Sequence, residues 1–168
     1  MKKLMFTLWL ALGIVSMVFA QDSKVMIGVS GRMVGPACTN CSALYGPAFS
    51  GGWAFTKKIV ATFDFGIYSR SESDDKIKAF AMGISGDFYF KEAYKGFYIG
   101  PDVTFITVSE EFDGSEIFSE DNISIGINLG WAIGIGDRFR IIPHAGYGTW
   151  FEDSDGKITA GVKLGFRF

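Results

Sequence analysis

Between Ile123 and Ile135 the chain alternates without a break. Ile123, Ile125, Ile127, Leu129, Trp131, Ile133 and Ile135 are large and apolar; Ser124, Gly126, Asn128, Gly130, Ala132 and Gly134 between them are small or polar. A period of two puts the two sets on opposite faces of an extended strand, whereas a helix would scatter both around its axis. The last stretch repeats the pattern, with Ile158, Ala160, Val162, Leu164, Phe166 and Phe168 alternating with Lys157, Thr159, Gly161, Lys163, Gly165 and Arg167. Beyond residue 20 no segment sustains helical periodicity. The alternation predicts eight strands, at 24–34, 47–56, 59–70, 77–90, 97–109, 122–135, 139–151 and 157–168. Each can cross a bilayer as a tilted strand, which takes about 9–11 residues.

The connections alternate in length. Segments 35–46, 71–76, 110–121 and 152–156 read as loops on one side, and Lys57-Lys58, 136–138 and 91–96 as turns on the other, 91–96 being the imperfect member. Membrane barrels have short periplasmic turns and longer outer loops. An even strand count returns the C-terminus to the side where the first strand begins. The fold class that follows is all-β: an eight-stranded antiparallel up-and-down barrel, with no repeat larger than the hairpin and no second domain.

The start of the chain has a different character. Lys2 and Lys3 precede an uncharged run, Leu4 to Val18, and Val18-Phe19-Ala20 offers a small residue before Gln21. This is the pattern of a cleaved secretory signal peptide over 1–20, leaving 21–168 as the barrel domain. An uncleaved anchor is the alternative. Gln21, not Cys, follows the junction, so the leader is not of the lipoprotein kind. Cleavage removes two lysines and no acid, taking the formal charge from −2 to −4. With no basic stripe, nucleic acid is not an expected partner. Cys38 and Cys41 are the only cysteines. A structural zinc needs four ligands, and a thioredoxin-like site needs a following helix. A short disulfide bracing the loop 35–46 is the simpler expectation in an exported chain.

Alternation does not say which face meets solvent. A lipocalin-type barrel buries its apolar face; a membrane barrel turns it outward. Three features favour the second. Glycines crowd the polar face (Gly28, Gly66, Gly100, Gly130 and Gly148 among them), and there they make room inside a narrow barrel. Aromatic residues collect at strand ends, with Phe55, Phe90, Phe97, Phe139, Phe166 and Phe168 at one end and Phe49, Tyr147 and Phe151 at the other. Asp64, Asp87, Asp102, Arg140 and Lys163 share the glycine face, which spares the roughly 2–4 kcal/mol cost of a lipid-facing Lys or Arg at the midplane. Lys78 departs from the pattern, at a strand start near the outer rim.

The leader, the eight alternating segments and the ending Gly161-Val162-Lys163-Leu164-Gly165-Phe166-Arg167-Phe168 together resemble the small eight-stranded outer-membrane barrels of the OmpX and OmpA transmembrane-domain type. The resemblance covers 21–168 and is architectural. It implies an outer-membrane location in a Gram-negative-type bacterium, contact with outer-membrane lipid, and assembly from the periplasm. Phe166 and terminal Phe168 resemble the signal read by the barrel-assembly machinery. It implies no particular activity.

His144 is the only histidine. By position along their strands, Asp64, Asp102, His144 and Lys163 form an expected polar layer inside the barrel, with Asp64 and Asp102 balancing Lys163 and Arg140, and Asp87 on the same face. A salt-bridged plug is the simple reading and an ion path the functional one. Lipid hydrolysis would need a nucleophilic serine beside His144, and no Gly-x-Ser-x-Gly elbow is present. The acidic loop 110–121 reads as a solvated face, with a weak divalent-cation site as the alternative. No metal or cofactor is expected. The favoured function is a non-enzymatic barrel with a filled lumen, serving envelope structure or surface contacts. Transport of small or hydrophobic solutes and a soluble lipocalin-like binder are the alternatives. Inward Tyr68, Tyr89, Tyr98 and Trp150 argue for filling rather than for a pore.

Overall fold

The computed structural model describes residues 25–36, 43–72, 75–112, 115–151 and 156–168. The leader, Cys38 and Cys41 lie outside them. Eight strands follow one another: β1 (Val25–Pro36), β2 (Leu44–Ala54), β3 (Ile59–Glu72), β4 (Asp75–Tyr89), β5 (Gly96–Phe112), β6 (Ser115–Ile135), β7 (Phe139–Trp150) and β8 (Gly156–Arg167). Every neighbour in sequence is an antiparallel neighbour in space, and β8 pairs with β1 to close the barrel. The ladder fixes its stagger. Residue by residue, Met26 leads to Gly52, Thr62, Ser85, Asp102, Gly126, Gly148 and Lys157, and arrives at Pro36 of β1, ten positions from where it started. An eight-stranded barrel so sheared has an interior just wide enough for side chains.

The apolar face is outside. Ile84 is 63% exposed, Ile127 55% and Leu164 55%. The inward face carries glycine, tyrosine, serine and the ionisable residues. Such an exterior is stable in hydrocarbon and not in water, so the molecule is a transmembrane barrel and not a soluble binder with an apolar cavity. Rings mark both ends of the band. Phe55, Phe90, Phe139 and Phe168 are exposed at the short-turn end, Phe49, Tyr147 and Phe151 toward the other. Several touch in pairs, as Phe90–Phe97 (5.4 Å) and Phe139–Phe166 (5.0 Å) do.

β3, β4, β5 and β6 run further at their outer ends than the alternation indicates. β5 reaches Phe112 and β6 begins at Ser115, so most of the expected loop 110–121 is a paired hairpin, with a bulge at Glu110/Glu111. β3 and β4 likewise meet at Glu72↔Asp75. Beyond the membrane both faces of a strand are wet, so side chains stop alternating although the main-chain ladder continues. β2 begins at Leu44, before Pro47, which reads as a boundary but is not one.

Three prolines sit mid-strand, and each interrupts one ladder only. Pro47 pairs with Gly31 of β1, Pro101 with Ile127 of β6 and Pro143 with Val162 of β8; the pairing of β2 with β3, β4 with β5 and β6 with β7 lapses at these residues. Proline has no N–H to give, so the neighbouring strand passes without that bond. At Pro101 the backbones draw together, and a Cβ on Gly100 would collide with the Gly86 carbonyl oxygen.

Candidate functional site

The barrel interior is built in tiers. At the short-turn end Met26, Val60, Tyr89, Tyr94, Tyr98 and Ile142 form an apolar floor. The Tyr89 ring lies 4.9 Å from Tyr98 and 5.9 Å from Tyr94. Toward the outer end Val34, Tyr68, Ala79, Ala81 and Ile106, with Leu44, Val108 and Trp150 against them, form an apolar lid. Apart from Arg140, the inward ionisable side chains lie between.

Asp64 centres the middle tier. Its Oδ1 is 3.1 Å from Arg32 Nη2 and 3.5 Å from Lys163 Nζ. Asp102 Oδ2 accepts from Thr104 Oγ1 at 3.1 Å and lies 3.8 Å from Lys157 Nζ. The Lys157 ammonium also stands 5.6 Å over the Trp150 ring. Asp87 accepts from Thr62 Oγ1 at 2.8 Å and from Asn128 Nδ2 at 3.2 Å. Buried charge is tolerable only when paired or hydrogen-bonded, and each carboxylate here is. His144 Nδ1 is 3.2 Å from the Ile142 carbonyl oxygen. Its ring faces a cavity of about 30 Å³ that Arg32, Asp64, Asn128 and Lys163 also line. A second cavity, of about 20 Å³, lies beside Arg32, Asp64, Tyr68 and Lys157. Polar spaces of this size hold single waters, not a solute.

The structure thus brings Asp64, Asp102, His144 and Lys163 around one cavity but pairs their charges differently from the expected layer. Asp102 takes Lys157, not Lys163, as its cation. Among the described residues Arg140 joins no carboxylate. It lies in the floor, where its guanidinium donates to the carbonyl oxygens of Tyr94 (2.9 Å), Phe139 (2.7 Å), Asp137 (3.0 Å) and Gly136 (3.2 Å). Shear is the cause. Residues equally far along neighbouring strands lie at different depths once the strands are staggered. Arg32 and Lys157 were missed, although both stand on the inward register, Arg32 in the series Met26, Gly28, Ser30, Arg32. Tyr94 was missed for another reason. The connection 91–96 is no simple turn: it folds inward across the barrel mouth, with Tyr94 only 1% exposed at φ 63°. A bulky residue in the left-handed region costs about 1–2 kcal/mol and persists only where its surroundings fix it. Lys78 is exposed at the outer rim, where a lipid-facing cation costs little.

No protein-family model and no curated protein sequence matches the chain. Solved structures do. Neisserial surface protein A aligns over 86% of this chain and 97% of its own, with TM-score 0.69 and 15% identity. Ail, the attachment invasion locus protein of Yersinia pestis, aligns over the same shares with TM-score 0.60 and 16% identity. OprG of Pseudomonas aeruginosa aligns over 86% and 96%, with TM-score 0.57 and 9% identity. At these identities the likeness is one of fold. The fold is that of the small eight-stranded outer-membrane barrels.

Proposed function

We propose that the protein is a non-enzymatic integral outer-membrane barrel, exported behind a cleaved leader, whose interior serves stability and whose work is contact at the outer surface. The observation that carries this reading is the closed interior. A polar tier lies between two apolar ones, and a pore would need both to part. His144 lies inside the barrel, away from the rim where a lipid ester could reach it, which supports a non-catalytic role.

The contact surface follows from the ladder. β3 to β6 continue outward as a sheet, and among the described residues β6 pairs with β7 only from Ser124 onward. Among the described residues, 115–122 of β6 are paired with β5 alone. A strand with one free edge invites another extended chain. Glu116, Glu120 and Asp121 make this segment acidic. Ail has been crystallised with the heparin analogue sucrose octasulfate, a polyanion; the charge here favours the opposite, an extended basic segment. The test is binding of an alternating Lys–Thr peptide to the barrel in nanodiscs. Saturable binding that is lost when 110–119 is replaced by a two-residue Asn-Gly turn supports the reading. Binding indifferent to that replacement, or none, contradicts it.

A further inference from the structure

The two ends of the barrel carry opposite charge. The outer hairpins and loops are strongly acidic. Among the described residues, Lys57, Lys58, Lys91, Lys95, Arg138 and Arg167 stand at the short-turn end, against two acids, Glu92 and Asp137. The first five are exposed and Arg167 is half-buried. Each lies within three residues of an aromatic side chain of the girdle: Phe55 before Lys57 and Lys58, Phe90 before Lys91, Phe97 after Lys95, Phe139 after Arg138, and Phe166 and Phe168 on either side of Arg167.

Main-chain bonds tie the segments of this rim together in two groups. Ala93 N–H donates to the Lys57 carbonyl at 2.7 Å, Tyr89 N–H to that of Lys58 at 2.8 Å, and Arg167 N–H to that of Arg138 at 2.8 Å. The Lys58 ammonium leans toward the lipid-facing Phe88 ring, 5.9 Å from its centroid. Glu92 pairs with Lys95 at 2.8 Å. That hydrogen bond above all, with the charges of Lys95, Arg167 and Lys57, holds the Glu92 carboxyl below the usual range against a small opposing effect of burial.

We infer that this rim is a docking surface for the anionic phosphate headgroups of inner-leaflet glycerophospholipid. The aromatic girdle sets the depth of the membrane interface, and the cations stand just beyond it, at headgroup level. One acid is already matched by Lys95, so the surplus of positive charge faces the bilayer surface and the periplasm. Each cation near an anionic membrane surface contributes about 1 kcal/mol, or roughly fivefold in affinity.

The test is native mass spectrometry of the detergent-purified barrel with added phosphatidylglycerol or phosphatidylcholine of the same acyl chains. Retention of phosphatidylglycerol at least tenfold above phosphatidylcholine is expected. The variant Lys57→Gln/Lys58→Gln/Lys91→Gln/Arg138→Gln loses that preference, while the charge-preserving Lys57→Arg/Lys58→Arg keeps it. Equal retention of the two lipids, or a preference untouched by the glutamines, overturns the proposal. So does a glutamine variant that keeps its lipid preference but no longer sediments with peptidoglycan, which assigns the surface to the cell wall. Where the glutamine variant fails to fold, salt decides on the native protein: preference erased by 0.5 M salt supports the proposal and preference that survives it overturns it.

Discussion

At the short-turn end Arg140 holds four carbonyl oxygens, Tyr94 is locked in a left-handed conformation, and three tyrosines close the lumen. At the outer end there is an apolar lid, and above it the strands simply continue as paired hairpins. One end is closed by a connection folded inward; the other extends its sheet into water. The ion-paired tier between them answers to neither job. It fills the section with charge that is internally matched, so the barrel wall can be rigid without a thicker apolar core. The contrast teaches that closure and display are separable here, and substitutions should separate them.

The largest effect is expected at the middle tier. Asp64→Leu strands Arg32 and Lys163 without a counter-charge and costs about 3–5 kcal/mol. Replacing all three by apolar residues of similar size (Asp64→Leu/Arg32→Met/Lys163→Met) recovers most of that loss. Urea unfolding followed by gel mobility reads both; a triple variant as unstable as the single one would show that the tier does more than balance charge.

At the floor, Tyr94→Ala loses the buried ring and keeps the unfavourable backbone, for about 3 kcal/mol. Tyr94→Gly loses the same ring but relieves the left-handed strain, so it is about 1 kcal/mol less destabilising. Alanine equal to or better than glycine contradicts the strained-plug picture. In the wall, Gly100→Ala drives a methyl into the Gly86 carbonyl and costs about 2 kcal/mol in the same unfolding assay. The equivalent change at Gly31, where a Cβ meets nothing within 4 Å, is near neutral.

The smallest effect is at the exposed Glu92–Lys95 pair. Glu92 has a lowered pKa, so its contribution is present above the unfolded-state value, about 4.5, and fades as pH falls through the folded one. The wild type should exceed Glu92→Gln slightly in urea midpoint at pH 7, and the gap should vanish near pH 3. A gap that widens on acidification reverses the sign and refutes the pairing.

The strand count, the outward apolar face and the girdles were legible because lipid and a packed lumen impose opposite demands on successive residues. Where both faces are wet, as at Glu110 to Asp121, that demand disappears and the strand ends could not be read. The inward set was legible by parity, but its partners were not. Asp102 meets Lys157 through a ten-residue shear that no single strand encodes. Nor does the sequence around 91–96 announce that Tyr94 turns inward, since its position is fixed by Arg140 from another hairpin.

Side chains, on this reading of the floor and lid, close the lumen. Planar-bilayer recording of the purified barrel tests it most directly. The closed interior predicts no steady conductance for the native protein, with openings appearing when the floor is thinned by Tyr94→Gly/Arg140→Ala. Stable ohmic channels in the native protein would contradict it.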